Sequence, residues 1–419
     1  MRFFPRLKVG LLLFAVACAA LVAGCGSSST EGTANSQDTK NAYTTPPKSG
    51  CGSYTASLKD PDGVLDELGP EQQAGLAGFT AGNDFRRSNW AGFKADKPTG
   101  WTVGVVFGPT TNDLQVKQYN GIKNELADDP RVSKVYAATP ASSLDVPRQL
   151  QDMNTMINRD VDVIVLQGLI PESFTGIVDR AAAKGIPTVT TLGNVPSANA
   201  INTGFNDYTG LGSAASSMLR LNKGKGNYLF VHGIPGTGPD LTAIRVWKEL
   251  LKSCPGAKTA GDVYGNYVNA EAKSETLKFL GTHPEKVDGV VTTGAMAPGV
   301  LQAFEQSGRS VPTVVDSSGS KGSLGYWRNN PGKYNGTSYA VGDGTGQGQA
   351  VANVALRTLA GEGPIGNAIF KDPAQVNPDN LDQWSDPSWT LTTPGGAPGP
   401  PGPFFEPAFL DGFFENPGK

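Results

Sequence analysis

The chain has 419 residues, with 35 Lys and Arg against 38 Asp and Glu, and 38% of its residues are hydrophobic. This length suggests about two or three domains, and the hydrophobic fraction suffices for a folded core, which argues against a wholly disordered chain. A formal net charge of -3 argues against a basic nucleic-acid-binding protein, and two histidines are too few for a multi-histidine zinc site. We therefore expect no nucleic-acid partner, no metal and no cofactor.

Residues 1–24 have the layout of a secretory signal peptide. Residues 1–8 carry three basic side chains, and the next 15 residues, 9–23, are uncharged and mostly apolar. A membrane span needs roughly 20 apolar residues, whereas this length suits a signal sequence. Small residues precede Cys25, as in a bacterial lipobox, so we predict that Cys25 is lipidated and carries palmitate. The alternative is an ordinary secretory signal followed by an unmodified cysteine.

Segments of biased composition flank the predicted body of the protein. The polar residues 25–50 predict a flexible tether, and the Pro- and Gly-rich residues 51–100 predict an N-terminal extension with a short helix over 69–79. Residues 371–419 hold five phenylalanines among prolines and glycines. Because aromatic side chains at this density avoid water, we predict a C-terminal extension that packs on the body; a partner-binding patch is the alternative.

The chain contains four cysteines, of which two are accounted for by the N-terminus. Cys18 leaves with the signal peptide, and Cys25 takes the lipid. Cys51 and Cys254 remain in an oxidising compartment, where a disulfide is favoured over two free thiols. Such a bridge would fasten the N-terminal extension to the body.

From Trp101 onward, short apolar runs rich in Val and Ile alternate with amphipathic segments. Strands this apolar, each followed by a helix, predict parallel sheets covered on both faces, and there are too many for one small sheet. We therefore predict an α/β fold of two doubly wound parallel-sheet lobes. The predicted strands are 103–108, 134–139, 161–168, 187–193, 227–233, 262–266, 288–294, 312–318 and 338–344.

The amphipathic segments between these runs predict helices. In the segment 240–254, helical spacing places Leu241, Ile244, Trp247 (or Val246) and Leu251 on one stripe, which we expect to face the core. The predicted helices cover 114–129, 146–160, 172–185, 240–254 and 348–363.

Amides, hydroxyls and a few carboxylates follow the predicted strands. Parallel strands bring these positions to one edge of the sheet, where ligands bind in open α/β folds. Amides and hydroxyls hydrogen-bond a ligand's hydroxyls, and an aromatic ring can stack on the apolar face of a sugar. For each residue, the alternative is that loops are polar on any surface. The predicted ligand-binding residues are Phe107, Asn112, Gln115, Gln167, Asn194, Asn206, Tyr267, Thr293, Asp316, Ser318 and Asp343, with Thr110, Thr111, Asp207, Asn269 and Ser317 beside them.

Two short motifs suggest catalysis or phosphate binding but lack their partners. The glycines of residues 233–238 are not followed by Lys-Ser/Thr, and Pro235 and Pro239 remove amide donors that a phosphate cradle needs. Ser318 and Lys321 match S-x-x-K, although no K-T-G or S-D-N accompanies them. We therefore predict a protein without enzymatic activity, and an exported hydrolase that uses Ser318 and Lys321 is the alternative.

Several longer stretches carry a family resemblance. They are VGVVFG at 103–108, GIPTVTT at 185–191, HGIPGT at 232–237, THPEKVDGVVTT at 282–293 and MAPGVLQAFEQSG at 296–308. With these stretches, residues 101–362 resemble the type I periplasmic binding proteins, in particular the ribose-binding-protein-like group of sugar ABC importers. The resemblance implies an N-lobe (101–206 with 343–370) and a C-lobe (207–342), joined by three hinge crossings near Asn206, Gly342 and residue 370.

The family's ligand residues carry over only in part. The Asn after the first strand falls on Asn112, and the aromatic residue of the second lobe falls on Tyr267. The two aromatics after the Asn fall on Leu114 and Gln115, and the Asp-Arg pair falls near Gly193–Asn194, so most ribose contacts are replaced.

The resemblance implies a lipid-anchored solute-binding protein of an ABC importer. Such a protein captures a small ligand by hinge closure and delivers it to permease subunits in the membrane. The amide- and hydroxyl-rich edge predicts a neutral sugar, polyol or cyclitol as the ligand, and we expect a monomer. The alternative is an extracytoplasmic sensor that reports to a membrane receptor or kinase.

Overall fold

The computed structural model describes residues 41–79, 83–108, 112–142 and 144–418. The predicted signal peptide, the predicted lipidation site Cys25, most of the predicted tether, Thr110 and Thr111 lie outside the described residues. Among the helices of the described part, none has both the length and the apolar character that a membrane span requires.

The first lobe is built on a sheet of six parallel strands, numbered here in chain order. They are β1 (Trp101–Val106), β2 (Val132–Ala138), β3 (Val163–Gln167), β4 (Thr188–Thr191), β5 (Ala200–Phe205) and β11 (Ala368–Lys371). Across the sheet they lie in the order β2, β1, β3, β4, β5, β11. Its helices are α1 (Pro70–Leu76), α2 (Asp113–Asp128), α3 (Val146–Asn158), α4 (Thr175–Ala182) and α10 (Gly344–Ala360), with 3-10 turns at Leu65–Glu67 and Pro171–Phe174.

The second lobe repeats this plan with one reversed strand at its edge. Its strands are β6 (Lys225–His232), β7 (Gly256–Tyr264), β8 (Gly289–Thr292), β9 (Thr313–Asp316), β10 (Thr337–Ala340) and β12 (Ala374–Val376). They lie in the order β7, β6, β8, β9, β10, β12, and only β12 runs antiparallel to its neighbour. Its helices are α5 (Asp207–Leu221), α6 (Gly238–Ser253), α7 (Asn269–Thr282), α8 (Ala297–Ser307), α9 (Lys321–Asn329) and α11 (Leu381–Trp384).

Hydrophobic clusters cover both faces of each sheet, as near-continuous apolar strands require. The chain passes from one sheet to the other after β5, after β10 and between β11 and β12. The predicted fold class, two doubly wound α/β lobes with three crossings, is therefore confirmed. Three strands of the sheets, β5, β11 and β12, were not predicted.

The stripe predicted for the segment 240–254 is wrong in part. Leu241 is 43% exposed, whereas Ala243, Val246, Trp247 and Leu250 are buried in the second lobe. The buried face is therefore rotated from the predicted one, because α6 packs against α5 as well as on the sheet.

The N-terminal extension joins both lobes. The ring of Tyr43 stacks on Trp327 of α9 at 5.9 Å between centroids, so part of the predicted tether contacts the second lobe. In the structure, Cys51 and Cys254 form a disulfide at the end of α6. Farther along, the extension packs into the first lobe through the buried side chains Val64, Leu68, Leu76, Phe79, Phe85 and Trp90.

The C-terminal extension also contacts both lobes. Trp384 of α11 is buried in the core of the second lobe. After a loop, the chain reaches the first lobe, where helix α12 (Pro407–Asp411) lies among the phenylalanines. Phe405, Phe413 and Phe414 are buried in the first-lobe core, and Phe404 and Phe409 pack against it.

The disulfide should contribute strongly to stability, because it closes a loop across 203 residues and so reduces the entropy of the unfolded chain. We expect the double variant Cys51→Ser, Cys254→Ser to lose roughly 2–5 kcal/mol of unfolding free energy, measured by urea denaturation. A reductant should lower the wild-type value toward that of the variant and leave the variant unchanged. Equal stability of the two proteins would contradict this prediction.

Candidate functional site: a cleft between the lobes

A cleft with a volume of about 740 Å³ lies between the two lobes. It is lined by loops that follow strands of both sheets, which is where open α/β sheets bind ligands. The volume falls within the range of small-molecule sites. The two lobes also touch beside the cleft, where the Gly238 N–H at the start of α6 donates to the Leu169 carbonyl of the first lobe at 3.1 Å.

Seven of the eleven predicted ligand-binding residues line this cleft, and their part in ligand binding stays a prediction. They come from loops on both lobes, so the fold brings together positions that are far apart in the sequence. These residues are Asn112, Gln115, Asn194, Tyr267, Thr293, Ser318 and Asp343. Their predicted neighbours Asp207, Asn269 and Ser317 line it too.

Phe107 and Gln167 lie in the first-lobe interior instead of lining the cleft. Phe107 is fully buried, with its ring centroid 5.4 Å from that of Tyr119. The Gln167 side-chain oxygen accepts a hydrogen bond from the Gly108 N–H at 2.6 Å and thereby joins the ends of β1 and β3. Both side chains lie at strand ends, as predicted, but they point into the protein.

Asn206 and Asp316 also bind protein groups rather than line the cleft. Asn206 caps α5, and its amide donates to the carbonyls of Gly75 and Ala77 at 2.9 and 2.8 Å, which holds the N-terminal extension at a lobe crossing. The buried Asp316 carboxylate accepts hydrogen bonds from Ser320, Ser323 and Ser338. These bonds order the loop after β9 that carries Ser318.

Asp207 is the first residue of α5 and presents a half-buried carboxyl group to the cleft. The Tyr339 hydroxyl of β10 donates a hydrogen bond to its Oδ1 at 2.9 Å. Burial raises the pKa of Asp207 to about 7, against the opposing effect of this hydrogen bond, which favours the charged form. A carboxyl group of this kind accepts hydrogen bonds from ligand hydroxyls.

Tyr267 is held in a slot on the second-lobe side of the cleft. Its hydroxyl lies 2.6 Å from the Thr237 Oγ1, and burial raises its pKa. Two glycines make room for the ring: a Cβ at Gly233 would lie 2.1 Å from the Tyr267 Cζ, and one at Gly294 would lie 2.8 Å from the Cδ1. Tyr267 has a left-handed backbone with φ 63°, which costs a non-glycine residue about 1–3 kcal/mol. Local packing thus fixes the orientation of the ring.

Opposite charges pair on the first-lobe side. The Lys117 ammonium lies 3.2 Å from Asp113 Oδ2 and 3.3 Å from Asp343 Oδ1, and all three residues line the cleft. Burial lowers the pKa of Lys117, but the two carboxylates outweigh that effect and raise it overall. Asp343 therefore faces the cleft as part of an ion-paired group.

Other lining residues were not predicted. Apolar side chains of Leu192, Phe205 and Phe370 follow or end strands in the first lobe, and two of those strands were missed in the sequence. Gln347 of α10 and Lys273 of α7 lie on helices, where no loop pattern marks them. Residues 391–396 of the C-terminal extension also line the cleft.

The geometry offers little for catalysis or metal binding. The Ser318 hydroxyl lies 3.2 Å from that of Ser320, and the Lys321 ammonium lies over the Trp389 ring, 5.6 Å from its centroid. The two residues of the S-x-x-K motif are thus engaged with different neighbours. Within the part of the chain that the structure describes, no three His, Cys, Asp or Glu side chains are grouped so as to hold a metal ion.

The fold and the cleft define a two-lobed binding protein, and comparison with known proteins gives the family. Residues 103–363 match the family described as periplasmic binding protein domain, so the chain belongs to that family. The predicted resemblance is therefore confirmed, and the family is one of extracytoplasmic solute-binding proteins rather than enzymes.

Individual relatives have low sequence identity to this chain, but each match covers most of the relative's length. A xylitol-binding protein from Mycolicibacterium smegmatis is 26% identical over 241 residues, which is 57% of this chain and 67% of the relative. An ABC transporter solute-binding protein from Bacillus halodurans with bound myo-inositol matches with a TM-score of 0.61 at 18% identity, covering 69% of this chain and 99% of that one. One from Burkholderia graminis with D-arabinose gives 0.60 at 19% identity, covering 70% and 100%.

The pKa of Asp207 should make stability depend on pH. Its folded pKa of about 7 exceeds the ordinary 3.8, so the folded chain keeps a proton that the unfolded chain releases at a lower pH. The stabilisation is therefore complete below about pH 4 and is lost as the pH rises through about 7. From about pH 4 to about pH 7, the unfolding free energy of Asp207→Asn minus that of the wild type should therefore increase, as measured by urea denaturation at each pH.

Tyr339→Phe provides a second arm for this experiment. The variant removes the hydrogen bond that favours the carboxylate, so the pH at which stability is lost should move upward. Parallel stability curves for the wild type and Asp207→Asn would show that Asp207 does not titrate in this interval.

Proposed function

We propose that this protein is the solute-binding component of an ABC importer and that it captures a small neutral polyhydroxylated ligand, a sugar, polyol or cyclitol, between its lobes. The observation that carries this proposal is the composition of the cleft, where hydroxyls and amides from both lobes converge beside aromatic rings, among them the fixed ring of Tyr267. Such groups can pair with several ligand hydroxyls at once, and the Lys117 ammonium is already paired with two carboxylates.

The relatives support the same ligand class. One relative is a xylitol-binding protein, and solved proteins of this fold hold myo-inositol, D-arabinose and, in one from Mycobacterium smegmatis, glycerol. All four compounds are neutral and carry several hydroxyls. We infer a ligand of this chemistry, without choosing one among them.

The proposed roles follow from the positions of the side chains. Tyr267 stacks on the apolar face of the carbon skeleton, because its ring is held from behind by two glycines. The Asp207 carboxyl accepts hydrogen bonds from ligand hydroxyls. From the first lobe, Asn112, Gln115 and Asn194 provide amides, so the ligand bonds to both lobes only when these are close together.

Ligand binding then shifts the population toward the closed form. A ligand that touches both lobes binds the closed form more tightly, and each tenfold preference is about 1.4 kcal/mol. The hydrogen bond from the Gly238 N–H to the Leu169 carbonyl joins the lobes directly and so would stabilise the closed form. A permease that recognises the closed shape would collect loaded protein.

Calorimetric titration of the purified mature chain tests the ligand class. The panel contains xylitol, myo-inositol, D-arabinose and glycerol, with amino acids and dicarboxylates as charged comparisons. We expect binding to at least one neutral compound, together with a smaller radius of gyration in X-ray scattering when it is added. Binding confined to amino acids or charged acids would overturn the proposal.

Tyr267→Ala tests the stacking role. We expect the affinity for the bound neutral compound to fall at least tenfold, about 1.4 kcal/mol, because the variant removes an aromatic surface on which the ligand would stack. Tyr264→Ala is the matched control: Tyr264 is 48% exposed, lies three residues earlier and is not among the cleft residues. Equal affinities for the two variants would contradict the role of Tyr267.

We also propose that a lipid on Cys25 anchors the protein to the outer face of the cell membrane. The support is the signal-like residues 1–24 followed directly by Cys25. We expect the wild type in the membrane fraction and Cys25→Ala outside it, measured by fractionation and metabolic labelling with palmitate. Labelling of the alanine variant, or a wild type free of lipid, would contradict the anchor.

A further inference from the structure

Part of the ligand cleft is built by the C-terminal extension, outside the residues 103–363 that match the family. Six consecutive residues of the extension, Leu391–Gly396, line the cleft; we call them the C-terminal wall. The wall includes Thr392 and Thr393 and ends in two glycines, so it offers hydroxyls and peptide groups at the surface of the cleft.

Hydrogen bonds fix the C-terminal wall to the second lobe at both of its ends. At its start, the Gln302 side chain of α8 donates to the Leu391 carbonyl at 3.1 Å. At its end, the Lys321 N–H donates to the Gly395 carbonyl at 3.0 Å, and the Ala397 N–H donates to the Gly319 carbonyl at 2.7 Å. This second pair of bonds joins the wall to the loop after β9, which carries Ser318.

The C-terminal wall also touches the first lobe. A Cβ at Gly395 would lie 2.7 Å from Asp113 Oδ2, so this glycine packs closely on the start of α2. Beyond the wall, the chain continues to Phe405 and Phe413 in the first-lobe core. The extension therefore passes from one lobe to the other beside the cleft, in addition to the three crossings between the sheets.

We propose that the C-terminal wall is a third part of the ligand site, which contacts the ligand in the closed cleft and is as necessary for affinity as the two lobes. This inference rests on the proposed function, because it assigns a further part of the same site. The wall lies between Ser318 of the second lobe and Asp113 of the first, so a ligand that bridges the lobes meets it.

Gly396→Phe tests the inference in the full mature chain. A Cβ at Gly396 meets only the Ser318 carbonyl oxygen, at 3.8 Å, so the backbone accepts a side chain that then takes up space in the cleft. We expect an affinity loss of at least tenfold for whichever panel compound the wild type binds, with an unchanged melting temperature. Gly281→Phe is the control, since a Cβ at this exposed position of α7 meets nothing within 4 Å and the residue is not among those lining the cleft.

Hydrogen exchange of the wild type shows whether the unmodified wall meets the ligand. We expect the bound panel compound to slow amide exchange in the peptide that contains residues 391–397, but not in the peptide around Gly281. Wild-type binding with unchanged exchange in the wall, or with full affinity of Gly396→Phe, would overturn this inference and leave the proposed function standing. A wild type that binds no neutral compound would overturn both.

Discussion

A polar ligand gives up its water when it enters a cleft, and an unpaired hydroxyl left inside costs about 1–3 kcal/mol. The proposed site follows from that constraint, because each lobe lines only part of the cleft. Asn112 and Asn194 lie on one lobe, and Asp207 and Tyr267 on the other. In the structure, where the Gly238 N–H meets the Leu169 carbonyl, these groups line one cleft. A ligand with several hydroxyls would therefore bind well only where both lobes pair with it.

The N-terminal and C-terminal extensions add connections between the two lobes. In addition to the three crossings between the sheets, the N-terminal extension is linked to the second lobe by the disulfide and to the first by its buried aromatic residues. The C-terminal extension joins the same lobes through Trp384 and Phe413. Opening of the cleft must therefore be accommodated by five connections. This favours a small hinge motion, since each further connection limits the separation of the lobes.

The sequence predicted the fold well because apolar strands and amphipathic helices alternate with little ambiguity. It missed β5, whose residues AINTGF contain a single large aliphatic side chain; the first four are buried, in a strand that lies between β4 and β11. Site residues were harder to predict. A polar residue after a strand, such as Asn206 or Asp316, serves equally well to cap a helix or order a loop, and sequence spacing does not distinguish these uses from ligand binding. The wall at 391–396 follows no strand at all.

The N-terminal contacts have a consequence for how the protein would sit on the cell. The Asn41 carbonyl accepts a hydrogen bond from Arg220 of α5 at 3.2 Å, so the first described residue lies on the second lobe. Sixteen residue steps separate Asn41 from Cys25, so the two residues can be at most about 58 Å apart. A lipid on Cys25 would hold the second lobe within this distance of the bilayer, so that the first lobe would be the one to move relative to the membrane. Ligand binding would then change the distance between the first lobe and the bilayer, and the tilt of that lobe.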